Sequence, residues 1–417
     1  MNFFPIEPDL NAMSERALQK AAPRFAAIEQ TTEYNQQKVL HAFIQNGVSE
    51  SHFAESTGYG YGDRGRDVLD AVFAQSMGAE SALVRHSFAC GTHTLTVALF
   101  GLLRPGDVML SVTGMPYDTI QPTIGIHCEK GRGSLLDFGV EYREVPLSDG
   151  KPDLDGICKA LRAQKVRLVY IQRSRGYSLR PSLSVEEIGE IVRVTRENSD
   201  AWVMVDNCYG EFVQRTEPLS VGADLIAGSL IKNPGGGLAK NGGYIAGKKE
   251  LVELCSYRMT TPGLGAEVGA SLGMNRSLFM GLFHAPHVTG EALKTAVYTA
   301  ALFEEMGYEA TPALNEDRFD IIQALKLRRP ETLIAFCRGL QSGSPVDSFA
   351  TPEPWDMPGY DSKVIMAAGA FILGSSIELS ADAPLREPFA VWMQGGLNFH
   401  SAKVGILLAA QQVLQNP

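Results

Sequence analysis

From residue 81 onward short apolar strands alternate with helices, a pattern that admits few architectures besides a mostly parallel sheet covered on both faces. Strands are expected at 82–85, 107–112, 141–145, 167–172, 202–206, 224–228 and 243–246. Helices are expected between them at 92–103, 154–164 and 185–197. The last opens on Ser184-Val185-Glu186-Glu187, a capping box that marks its start. In open sheets of this kind ligands gather at the carboxyl ends of the strands. One stretch there stands out: Val203-Met204-Val205 leads into Asp206, and Ser229-Leu230-Ile231-Lys232 leads into Asn233-Pro234-Gly235-Gly236-Gly237.

A carboxylate at the end of a buried strand needs a cation or several donors, and a lysine in an apolar run is costly to bury charged. Pyridoxal phosphate meets both needs, because its aldehyde takes the amine as a Schiff base and its protonated ring nitrogen pairs with the acid. The competing reading of Asp206 is a strand-end cap, and the competing lysine is Lys240, which lies beside Asn241 beyond the glycines. Cys90-Gly91-Thr92-His93-Thr94 precedes an apolar helix, where free N–H groups and the helix dipole favour a phosphate, although a plain turn has the same composition. Ser229 adds a hydroxyl three residues before Lys232. Tyr117 follows the next strand and is a candidate to lay its ring on the cofactor face; an ordinary turn aromatic is the alternative. The segment 58–67, Gly-Tyr-Gly-Tyr-Gly-Asp-Arg-Gly-Arg-Asp, is a glycine loop whose tyrosines and arginines could reach an anion or simply cover a surface turn.

The chain's 417 residues exceed a single core, so two domains and an amino-terminal piece are expected. These are a helical arm over 1–57, a large domain over 58–287 and a smaller α+β domain over 288–417. The last should contain a helix over 288–306, strands near 346–350, 370–373 and 376–380, interruptions at Pro352, Pro354 and Pro358, and a final helix over 402–414. A formal net charge of −10 argues against nucleic acid as a partner. Six scattered cysteines without a CxxC pair, together with the absence of a signal-like start or a spanning apolar run, point to a cytoplasmic protein. No metal is expected, since His284 and His287 have no acidic partner on their helical face. A nucleotide-binding reading lacks both a Walker lysine and a GxGxxG after the first strand.

Taken together, segments 58–67, 90–94, 110–119, 171–181, 205–213, 228–247, 267–275, 344–360 and 376–388 resemble the fold type I pyridoxal phosphate enzymes. Within these they resemble the methionine gamma-lyase family, in the branch named for aluminium resistance. The resemblance implies that Lys232 carries the cofactor, Asp206 pairs with its ring nitrogen, Tyr117 stacks on the ring, and Gly91, Thr92 and Ser229 hold the phosphate. It further implies a homodimer or homotetramer with shared active sites, Tyr59 or Tyr61 and Arg64 or Arg66 reaching the neighbouring subunit's phosphate. Arg386 is then the candidate for the substrate α-carboxylate. Where relatives carry an acidic motif, this chain has Gln172-Arg173-Ser174-Arg175-Gly176-Tyr177, so Arg173 or Arg175 could bind a second carboxylate or replace Arg386. The expected activity is carbon–sulfur bond cleavage in a cystathionine, cysteine or methionine type of substrate. The rivals are an aminotransferase or aldolase reaction on the same cofactor and a non-catalytic cofactor or amino-acid binding protein.

Overall fold

The computed structural model describes residues 3–357 and 362–416, so Pro358 and part of the 344–360 segment lie outside the described residues. In chain order the elements are α1 (Pro8–Gln45), α2 (Arg64–Met77), β1 (Ser81–Arg85), α3 (Gly91–Leu102), β2 (Val108–Ser111), α4 (Gln121–Ile124), β3 (Glu141–Glu144) and α5 (Leu154–Ala163). They continue with β4 (Leu168–Gln172), α6 (Val185–Asn198), β5 (Trp202–Asp206), β6 (Leu225–Ser229), β7 (Gly243–Gly247), α7 (Lys249–Met259) and α8 (Asn275–Glu305). The remainder is β8 (Glu309–Thr311), β9 (Gln323–Lys326), α9 (Pro330–Ser342), β10 (Val364–Ala367), β11 (Ser380–Pro384), β12 (Ala390–Gln394) and α10 (Phe399–Gln415).

The larger sheet has the order β1-β7-β6-β5-β4-β2-β3, with β7 antiparallel to both neighbours and the other pairs parallel. Strands β4, β5 and β6 are buried along their whole length, apart from partly buried Trp202, as sheets covered on both faces require. Register sets Gln172 beside Asp206 and Asp206 beside Ala227, so three polar residues, Gln172, Asp206 and Ser229, close adjacent strands on one edge. The smaller sheet is antiparallel, in the order β10-β11-β12-β9-β8.

The strands of the larger sheet fall where the apolar runs place them, whereas three expectations for the rest of the chain need correction. Segments 346–350 and 370–373 are turns, and the strand expected at 376–380 begins only at Ser380. In the 370–373 segment Glu378 accepts hydrogen bonds from the amides of Phe371 and Ile372, which satisfies that backbone without a sheet partner. Helix α8 starts at Asn275, so a boundary at 287 falls inside it. Helix α1 does not project as an arm: Leu10, Ser14, Ala17 and Ala21 form a buried stripe at helical spacing, continued by Asn35, Val39 and Ala42. Its first half joins a core with Val297–Phe303 of α8 and with α10, while Val39 and Ala42 join the core of the larger sheet.

Helix α8 also seats the lysine turn. A Cβ on Gly281 would lie 2.3 Å from the Gly235 carbonyl oxygen, and one on Gly236, at φ +54°, would lie 2.4 Å from that of Gly281. Two backbones therefore touch where any side chain would part them. Gly281→Ala should lower stability by about 1–3 kcal/mol through overpacking. A urea unfolding midpoint equal to the wild type's would contradict this.

Candidate active site

The carboxyl ends of β4, β5 and β6 and the amino end of α3 enclose a cavity of about 180 Å³. It is lined by Gly91, Thr92, Tyr117, Asp206, Ser229 and Lys232, which brings six sequence candidates into one place. Asp206 is 6% exposed; its Oδ1 accepts from the Cys208 amide at 3.1 Å and its Oδ2 from the Tyr170 hydroxyl at 3.4 Å. Burial pushes its carboxyl above the usual value, against the pull of Lys232 and of these hydrogen bonds. The Lys232 ammonium lies 3.8 Å from the centroid of the Tyr209 ring. Burial opposes its charge, but Cys208, Tyr209, Asp206 and Glu211 together outweigh burial and hold it above the ordinary lysine value.

At the other end of the cavity α3 presents its amino terminus, capped by the Cys90 thiol, which accepts from the His93 amide at 3.4 Å. Facing it, the Ser229 hydroxyl is buried without a hydrogen-bond partner, and a Cβ on Gly91 would come within 3.2 Å of Ser229 Cβ. The Thr92 and Thr119 hydroxyls share a hydrogen bond of 2.6 Å beside it. An unpaired buried hydroxyl beside free helix N–H groups suits a phosphate, and a buried carboxylate suits a protonated ring nitrogen. The residues therefore fit pyridoxal phosphate.

Tyr117 stands between this cavity and an outer one of about 370 Å³, and Gln172 fixes its backbone by accepting from the amide at 2.6 Å. Its ring lies 5.9 Å from that of Tyr177. Arg175 and Arg386 line the outer cavity, and so does Arg180, which the sequence reading passed over. Arg386 is exposed. Arg175 is 2% exposed, donates to the Thr311 carbonyl at 3.0 Å, and has its Nε unbonded, 3.7 Å from Asp320.

Two candidate arginines are corrected. Arg173 is fully buried, and its guanidinium donates to Leu183 O, Asn207 Oδ1, Gly210 O, Gln214 Oε1 and Glu217 Oε2, which leaves nothing to offer a substrate. Arg66 is 3% exposed and is spent on the carbonyls of Gly60, Glu267 and Gly269 and on Asp67, where it locks its own loop. Tyr59, Tyr61 and Arg64 on that loop are exposed and do not line the cavity of their own chain.

Tyr209 and Glu211 escaped the sequence reading. Tyr209 holds φ +70° and Phe212 φ +62°, left-handed backbone that side chains rarely adopt and that concentrates at functional sites. The only sequence signal for Glu211 is a charged residue in the stretch that follows a strand-end aspartate.

The fold is that of the fold type I pyridoxal phosphate enzymes. The family model described as methionine gamma-lyase matches residues 10–414, and the chain belongs to that family. A Clostridium novyi carbon-sulfur lyase involved in aluminium resistance is 51% identical, with a TM-score of 0.95 over 98% of this chain and 96% of that one. A Clostridium acetobutylicum structure, provisionally named a cystathionine beta-lyase involved in aluminium resistance, is 51% identical with a TM-score of 0.96, covering 99% and 97%. The uncharacterised Bacillus subtilis protein YnbB is 48% identical over 93% of this chain and 92% of its own. No helix among the described residues is long and apolar enough to cross a membrane.

Burial pushes the Glu211 carboxyl up to about 8, against the pull of the Tyr244 hydrogen bond and of Lys232. The folded chain thus keeps a proton that the unfolded chain releases near the ordinary glutamate value. Glu211's contribution to stability is fully present below that value and is lost as pH rises through about 8. In Glu211→Gln the fall in stability across this window should be shallower, by up to about 1.4 kcal/mol per pH unit. Urea midpoints measured at several pH values check it, and parallel curves for the two proteins would contradict it.

Proposed function

We propose that the chain is a pyridoxal 5'-phosphate-dependent carbon–sulfur lyase that converts a cystathionine, cysteine or methionine type of amino acid to a thiol, a 2-oxo acid and ammonia. The observation that carries this reading is one cavity joining Lys232, Asp206 and a helix amino terminus faced by the unpaired Ser229 hydroxyl. The family and the aluminium-resistance relatives support the reaction class. When bound, the cofactor supplies an electron sink for the charge left at the substrate α carbon.

The rest falls to the chain. Lys232 would hold the cofactor, and its amine is the base placed to take the α proton. Asp206 would pair with the protonated ring nitrogen. Gly91, Thr92 and Ser229 would hold the phosphate, while Tyr117 would lie against the ring and supply the proton to the leaving sulfur. Arg386 takes the α-carboxylate, with Arg175 as the alternative. The active protein is a homodimer or homotetramer in which Tyr59 or Tyr61 and Arg64 reach the neighbouring subunit's site. Their exposure supports this arrangement.

The protein incubated with pyridoxal phosphate should show a visible band that borohydride removes and that Lys232→Ala lacks. Thiol release from a panel of cystathionine, cysteine and methionine should fall about 10²- to 10⁴-fold in that variant. A colourless wild type, or colour that survives in Lys232→Ala, would overturn the reading. Arg386→Ala should keep its colour and raise KM about 10- to 100-fold, as the loss of a charge-assisted hydrogen bond implies. An unchanged KM would transfer the carboxylate to Arg175.

A further inference from the structure

Behind Lys232, between the turn that follows β5 and strand β7, lies a second acid–phenol pair with no part in the scheme above. Glu211 is fully buried; its Oε1 accepts from the Tyr244 hydroxyl at 2.7 Å, and its Oε2 has no hydrogen-bond partner. Space for the pair exists only because β6 carries glycine at 228. A Cβ there would come within 2.7 Å of both Glu211 Oε1 and the Tyr244 ring. The pair is also tied to the lysine turn: Asn233, the residue after Lys232, donates from one Nδ2 to the carbonyls of Tyr209 and Glu211, each at 3.0 Å.

Burying a carboxyl with half its acceptor capacity unused is costly, and such groups concentrate where their charge is used. Lys232 feels three carboxylates: Asp206 at the end of β5, Glu211 in the turn that follows, and Asp382 on β11 of the smaller sheet. Asp206 is committed to the Cys208 amide and the Tyr170 hydroxyl, and Asp382 accepts from Gln394 at 3.2 Å. Of the three, Glu211 is the one with a fully buried oxygen that has no partner. The other titratable groups facing these are Cys208 and Tyr209 beside Lys232, Glu217 and Tyr244 beside Glu211, Tyr170 beside Asp206 and Tyr177 beside Asp382.

We infer that Glu211, held by Tyr244, is a positioning residue that sets the proton affinity of the Lys232 nitrogen. This rests on the reading of Lys232 as the cofactor lysine. The coupling is reciprocal: Lys232 pulls the Glu211 carboxyl down from where burial drives it, so ionised Glu211 raises the lysine nitrogen by the same free energy. The lysine must be neutral to take the α proton and charged after taking it. A carboxyl that ionises just above neutral pH gives it a partner for the second state without fixing it there. The Tyr244 hydroxyl favours the ionised form by donating to it.

The experiment is a pH titration of the visible spectrum of the cofactor-loaded wild type, Glu211→Gln and Tyr244→Phe, across the neutral and alkaline range. In Glu211→Gln the midpoint of the spectral change should fall by about one pH unit, a tenfold loss of proton affinity. Tyr244→Phe should move it in the same direction by less. A purely packing role for the pair would lower the melting temperature and leave the midpoint in place. A folded, coloured Glu211→Gln with the wild-type midpoint would overturn the inference. Should that variant fail to fold, an unmoved midpoint in Tyr244→Phe would overturn it equally. The two layers separate cleanly: no band in the wild type, or a band retained in Lys232→Ala, sinks the reading of Lys232. A titrating wild-type band with unmoved variants sinks only the role of Glu211.

Discussion

The Arg173 guanidinium holds the site's framework in register. It leaves the end of β4 and reaches the side chain of Asn207 just beyond β5, the carbonyls of Leu183 and Gly210, and the side chains of Gln214 and Glu217. Asn207 and the Phe212 amide also bind Glu217, so one buried ion pair gathers the exits of two strands and the turn between Asp206 and β6. A buried pair of this kind yields little net stability, but removing either partner strands the other charge. What it provides here is placement: Asp206, Tyr209 and Glu211 are all presented by the segment it holds.

A second constraint is charge. The lysine turn lies among more acids than a single amine can neutralise, and each acid is treated differently by its surroundings. Asp206 has donors on both oxygens, Asp382 has an amide and the Tyr177 hydroxyl, and Glu211 has a phenol on one side only. In a medium of low polarity these differences separate the groups by far more than they would in water. One small volume therefore holds acids with different duties.

How much could be read from the chain follows from how local each signal is. The strands of the larger sheet, Asp206, Ser229, Lys232 and the start of α3 are marked by neighbours within a few residues, and the last four meet in one cavity. An arginine carries no such mark. Arg173 and Arg175 look alike in sequence, yet partners at 183, 207, 210, 214 and 217 consume the first, while the second lines an open cavity. Glu211 was silent for the same reason, since Tyr244 and Gly228 reach it from other strands. The smaller sheet was misplaced because side chains such as Glu378 stabilise apolar turns that resemble strands.

The seating of α1 bears on the order in which the chain can fold. Leu10, Ala17 and Ala21 are covered by residues of α8 and α10, and the Glu7 amide bonds to Gln411, 404 residues away. During synthesis at the ribosome this stripe has no cover until α8, and then α10, have followed. Contacts this distant pay their loop-closure cost late. The smaller core is thus a joint product of segments far apart in the chain, and it cannot be complete before the later of them has been made.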